Sequence, residues 1–331
     1  MRRYLLHRLA QLLPTFLGIT VVTFVLLRIA PGDPIMITGE GGGGEAFGRA
    51  SMEAWRKLKG LDQPLPWQYL RWLGSLLTLD FGRSLIDERP VIELIAEATP
   101  RSLLLNGAAL IFIYAAAIPL GIASAVRRGS RGDRWLSSAL FFLYSLPPFW
   151  IALLAIVFLG GGSFWELLPI RGLQSEGMAE AGMLARGADL LWHLILPVFC
   201  LSYPAIARTS RFQRGAMLDV IRLPFIRTAR AKGLSEAAVI RRHALKASLL
   251  PVVTLLSLDL PWLIGGSLII ERVFTIRGMG MLMFEAILRR DYPVIMGVVT
   301  LVAVATIIAV MLGDLAIAAL DPRIRLQGRS T

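Results

Sequence analysis

Six stretches of mostly apolar residues divide the chain: Leu9–Ile29, Leu103–Val126, Trp135–Leu159, Leu190–Ala207, Leu249–Ile270 and Val294–Leu320. Crossing a bilayer core as a helix takes about 20 such residues, so each is a predicted membrane span. The first follows Met1–Arg8 and is long for the apolar core of a signal peptide. It ends in Arg28-Ile-Ala-Pro-Gly-Asp-Pro34 without a small-x-small cleavage site, so a retained helix is expected. Prolines 119, 147, 148, 197, 204 and 261 fall inside the spans. Membrane helices tolerate proline where neighbours satisfy the freed carbonyls, which predicts bent helices packed on one another. The polar connections differ in kind. Pro31–Arg101 is long, with a glycine tract at Gly39–Gly44 and two helical patterns near Ser51–Lys59 and Pro66–Leu79. Arg127–Arg134 is short and basic, and Arg208–Ser248 is long and strongly basic.

Composition sharpens this pattern. Hydrophobic residues make up 55% and charged residues 18%, yet the formal net charge is +12. A nucleic-acid binder would carry that charge on a polar chain, and a disordered basic tail would lack the aliphatic content. With the N-terminus placed inside, the inside segments hold twenty basic and four acidic residues, a net +16, and the rest of the chain carries −4. An asymmetry of this size predicts six helices with both termini in the cytoplasm. Ten of the twenty inside basic residues lie in Arg208–Ser248.

That loop has its own punctuation. The fourth helix is expected to continue past the membrane toward Arg222 and to stop at Leu223-Pro224, because a residue before proline disfavours helix. Pro224 suits the first position of a new helix, Phe225–Lys232 continues it, and Gly233 ends it. Ser235 is placed to cap the next helix, with Glu236 in its first turn. The short helix would expose Arg227, Thr228, Arg230 and Lys232, with Phe225, Ile226, Ala229 and Ala231 as apolar surface. Such a helix suits docking into a groove of another protein. A plain basic loop that sets topology and touches anionic lipid is the alternative.

Here the sequence resembles a known family. Arg227-Thr-Ala-Arg-Ala-Lys-Gly233 and the following Leu234–Leu245 resemble the EAA loop of ABC importer permeases. The family's usual Glu-Ala-Ala falls on Arg227, Thr228 and Ala229, where only Ala229 matches. Lys246 replaces the usual proline. These departures are similar to those of the branch for dipeptides, oligopeptides and nickel. Further landmarks of that branch follow in order: Arg28–Pro34, Gly60–Pro64, Asp80–Ser84, Pro147–Phe149, His193–Pro197, Gly265–Ser267, Glu271–Phe274 and Leu320–Arg325. The long connection after the first helix fits the first of the two paired permeases.

The resemblance implies an all-α integral membrane protein of the bacterial cytoplasmic (inner) membrane, with a type I-like ABC importer permease fold. It divides the chain into an N-terminal segment with the first span (1–30), a small helical extracytoplasmic domain (31–101), a permease core (102–320) containing the coupling loop 208–248, and a tail (321–331). ATPase coupling would fall to Pro224, Phe225, Arg227, Thr228, Ala229, Arg230, Ala231, Lys232 and Gly233. The implied partners are a second homologous permease, two ATPase subunits, an extracytoplasmic substrate-binding protein and membrane lipid, with no nucleic acid. The substrate would be a di- or oligopeptide, with nickel or another small solute as the alternative.

The remaining chemistry is sparse. No GxxxxGK[ST] occurs, and Gly41–Gly44 leads into Glu45, which reads as a flexible linker. No cofactor is therefore expected in this chain, and ATP and Mg would bind partner subunits. One cysteine, Cys200, and the separated His7, His193 and His243 offer no catalytic or metal-ligand spacing. Asp259 lies inside the fifth span, where a carboxylate is costly and commonly functional. It reads either as a translocation-pathway residue or as a partner for an arginine or a backbone donor at a helix interface. A stand-alone secondary transporter would instead show paired broken helices from an inverted repeat, and no repeat is visible.

Overall fold

The computed structural model describes residues 2–29, 62–160, 164, 165 and 167–320. The glycine tract, the helical pattern at Ser51–Lys59 and the tail 321–331 lie outside the described residues. Among the described residues all regular structure is helical. Helix α1 is Arg2–Ile29 and α2 is Leu65–Leu77. Helix α3, Val91–Val126, begins well before the predicted Leu103. Pro90 precedes it with extended backbone, so the start is set by proline, and polar residues such as Glu93 and Glu97 extend the apolar span outward.

The third predicted span is not one helix. It is α4, Arg131–Ser145, and α5, Pro148–Leu159, meeting at 92°. Leu146 and Pro147 are extended, as a residue before proline prefers. The Tyr203 hydroxyl donates to Leu146 O at 2.7 Å, which satisfies a carbonyl freed at the break. Helix α6, Met183–Ile221, is continuous through Pro197 and Pro204, and α7 is Pro224–Ala231. The fifth span is broken into α8 (Leu250–Asp259), α9 (Trp262–Gly265) and α10 (Leu268–Val273). Pro261 and Gly266 mark the breaks. Gly266 has φ +73°, and a Cβ there would fall 2.3 Å from Gly280 N, so the position needs glycine. Helices α11 (Met279–Leu288) and α12 (Tyr292–Leu320) complete the order. Among the described residues five spans are long and apolar enough to cross a membrane, counting Leu250–Val273 as one, and the bent pair α4–α5 makes a sixth if it counts as one.

Helices α3 and α6 form the centre and run parallel. Leu105 packs with Leu194, Leu196 and Cys200, Ile113 and Ala117 with Ile206 and Ala207, and Ala125 with Met217 and Val220. At the end holding the N-terminus of α3, Val91 and Ile95 pack with Met279, Val294 and Ile295. The fully buried Glu271 of α10 accepts bonds from Ser102 Oγ (2.8 Å), Ser267 N (3.0 Å) and Met281 N (2.9 Å). This carboxylate ties the broken fifth span to α3, and its donors offset the cost of burying the charge.

Candidate functional site

The basic end of the bundle carries the loop singled out by its punctuation. Helix α6 stops at Ile221, Leu223 is extended (φ −69°, ψ 148°), and Pro224 opens α7. Gly233 takes φ +80°, a left-handed turn that suits glycine after a helix. Ser235 stands at the start of the turn Glu236–Ala238 but makes no side-chain capping bond. A π-helical stretch, Val239–Ala244, and the turn Leu245–Ser248 lead into α8.

Two faces of α7 are now distinct. Ile226 (0% exposed) and Ala229 are buried against Met217 and Val220 of α6, Ala125 of α3, and Val239 and Ala244. They are anchor residues, which corrects the expectation that they form free apolar surface. The Pro224–Gly233 punctuation places them on the short helix but carries no signal for which side meets α6. Pro224, Phe225, Arg227, Thr228, Ala231, Lys232 and Gly233 are exposed. Arg230 is exposed too, but its guanidinium forks onto both oxygens of Glu236 at 3.0 and 2.6 Å. The hydrogen bond and the charge of Arg230 hold the Glu236 carboxyl below the usual carboxylate range. Arg227 and Lys232 have no ionic partner among the described residues.

Behind α7, polar contacts fix the end of α6 to its neighbours. Asp133 of α4 accepts bonds from Ser124 Oγ, from Gly129 N (2.9 Å) and from Arg214 Nη2 of α6 (2.8 Å). Gln213, fully buried, donates to Ser248 Oγ at 3.0 Å. These contacts and the packing of Ile226 and Ala229 join α7, α6, α3 and α4 at this end of the bundle.

Asp259 lies elsewhere, inside the bundle at the end of α8. Arg208 Nη2 of α6 sits 2.9 and 3.0 Å from its two oxygens, and Tyr114 Oη of α3 donates at 2.8 Å. The three residues join three helices, and Arg208 and Asp259 line a small cleft together with Asn106 and Trp262. Sequence reasoning placed Arg208 in the basic loop, but its guanidinium belongs to this cluster. Separations of 51 and 145 residues left no local signal for Arg208 or Tyr114. The Asp133–Arg214 contact was missed for the same reason.

Comparison with known proteins fits this architecture. The family model described as "Binding-protein-dependent transport system inner membrane component" matches residues 117–326. Its companion, "Binding-prot-dependent transport system membrane comp, N-term", matches residues 1–106. The oligopeptide transport system permease protein AppB of Bacillus subtilis (strain 168) is 36% identical over 325 residues, covering 98% of this chain and 99% of that protein. The dipeptide transport system permease protein DppB of Escherichia coli (strain K12) is 36% identical over 343 residues, covering 98% and 99%. Among solved structures, an inward-facing conformation of the MetNI methionine ABC transporter aligns with a TM-score of 0.52 at 18% identity, covering 70% of this chain and 97% of that one. That last likeness is one of fold.

Proposed function

The chain belongs to the binding-protein-dependent inner-membrane transport components, as an ABC importer permease of the peptide branch, and from that premise we propose that it forms half of a pathway for di- and oligopeptides. Its energy comes from separate ATPase subunits that bind ATP and Mg. The observation that carries this reading is the two-faced helix α7: one face is locked into the bundle by Ile226 and Ala229, and the other presents Phe225, Arg227, Thr228 and Lys232.

The mechanism follows from that geometry. The basic end lies in the cytoplasm. An ATPase groove holds the exposed face of α7 and moves with nucleotide. The buried face and the Arg214–Asp133 contact pass the motion to α6, α3 and α4 as a rigid body. Asp259 lines the pathway between this chain and a second, homologous permease. Its charge is held by Arg208, so a peptide ammonium reaching Asp259 competes with that guanidinium. The described part of residues 31–101 that precedes α3 caps the outer side and meets a substrate-binding protein.

The test uses the assembled transporter in proteoliposomes. Arg227→Glu with Lys232→Glu reverses the charge of the exposed face without touching its anchors. The expected result is normal insertion, loss of ATPase co-purification, and peptide uptake reduced at least about tenfold, a change of about 1.4 kcal/mol in coupling. Uptake equal to the parent's, with the ATPase still bound, sinks the coupling role of this face.

A further inference from the structure

A second charged site lies at the opposite end of the bundle. A cavity of about 300 Å³ opens between the end of α1, α2, the segment after it, and the start of α12. Three guanidiniums line it, from Arg28, Arg71 and Arg83, and the lining holds one carboxylate, Asp80. That carboxylate accepts a bond from Gly82 N at 2.9 Å. Among the described residues no carboxylate pairs with any of the three arginines. Arg28 rests over the rings of Phe24 (5.3 Å) and Tyr292 (5.7 Å), and Arg83 donates to Glu88 O at 3.0 Å. The indole N–H of Trp72, another lining residue, is buried without an acceptor. Three cations and an idle donor call for an anion with several acceptor oxygens.

The surroundings say where that anion comes from. Trp67, Leu70 and Leu77 recur on one face of α2 at helical spacing and are 66%, 54% and 87% exposed. Alongside, Leu26 and Ile29 of α1 also point outward. Apolar side chains left uncovered on this scale mark a contact surface. In a membrane protein at the end of a span, the contact offered is acyl chain below and headgroup above. We propose that this cavity binds the phosphate headgroup of an anionic phospholipid, with its acyl chains along α1 and the exposed stripe of α2. The guanidinium forks take the phosphate oxygens, the Trp72 N–H takes one more, and α2 is thereby held against the membrane surface.

The experiment releases the full-length chain from vesicles of equal phosphatidylglycerol and phosphatidylcholine and measures the retained lipid by native mass spectrometry. Phosphatidylglycerol is expected to be enriched. Arg71→Gln with Arg83→Gln, both at exposed positions, is expected to lower that enrichment by about fivefold for each charge removed. Equal retention of the two lipids by the parent chain overturns the proposal without any variant. Enrichment that survives unchanged in the double variant overturns it as well, since the lipid then binds elsewhere. Millimolar inorganic phosphate is the third arm. If it saturates the arginines and abolishes the enrichment, the site is one for a free anion and the lipid assignment falls.

Discussion

Two short amphipathic helices lie outside the spans, one at each end of the bundle, and they present opposite chemistry. Helix α7 buries aliphatic Ile226 and Ala229 and exposes Arg227, Thr228 and Lys232. Helix α2 buries its polar and aromatic side: Tyr69 Oη lies 2.9 Å from Thr20 Oγ1, and its ring meets Phe24 and Trp72 at 5.5 and 5.9 Å. Its most apolar stripe faces outward. Both helices are two-faced, but the rule that the apolar face turns inward holds only where water is the solvent. The two proposals assign the outsides accordingly: an aqueous one with a protein groove for α7, and the edge of a bilayer for α2.

The comparison breaks first at the anchors. Ile226→Asp places a charge at a fully buried position with no partner in its cluster, and an unpaired buried charge is among the few changes that cost more than about 4 kcal/mol. The expected outcome is loss of the thermal transition in detergent and of ATPase co-purification. A variant melting with the parent would mean that α7 is not locked to α6. The matching change at the other end is milder. Tyr69→Ala removes one hydrogen bond and two ring contacts from a half-buried site. The expected cost is about 2 kcal/mol, below the roughly 3–5 kcal/mol of a fully buried aromatic. Limited proteolysis should then cut faster near residues 62–80 and at the parent rate near 222–236. Equal acceleration at both places would show one cooperative unit instead of two separately anchored helices.

How far the sequence carries depends on the range of the interaction. The extended Leu223, the proline start at Pro224 and the left-handed Gly233 are local backbone effects, and each was legible from its neighbours. The spans were legible because a bilayer demands long apolar runs. The 92° break at Pro147–Pro148 was visible only as a bend, because its angle is set by packing that includes the distant Tyr203 hydroxyl. The clusters around Asp133, Asp259 and Glu271 were not legible as clusters. Each draws partners from other helices, and sequence spacing holds no record of which faces meet. The same limit left Ile226 looking like docking surface.

The smallest expected effect concerns the one ion pair that α7 makes with its own loop. Arg230 and Glu236 hold a forked contact, yet both side chains are well exposed, at 39% and 53%. Exposed pairs contribute roughly 0–1 kcal/mol, so Glu236→Gln should barely move the melting temperature at neutral pH. The sign with pH is fixed by the direction of the shift. The hydrogen bond and charge of Arg230 depress the folded-state pKa of Glu236. The contribution is then fully present above the ordinary glutamate value of about 4.3, and is lost as pH falls through the lower folded value. Parent and Glu236→Gln should differ slightly at pH 7 and converge on acidification below that window. A gap that widens in acid would assign the stability of the loop to some other carboxylate. A gap of several kcal/mol at pH 7 would make α7 depend on this exposed fork as α2 depends on Tyr69, and the distinction between aliphatic and polar anchoring would fail.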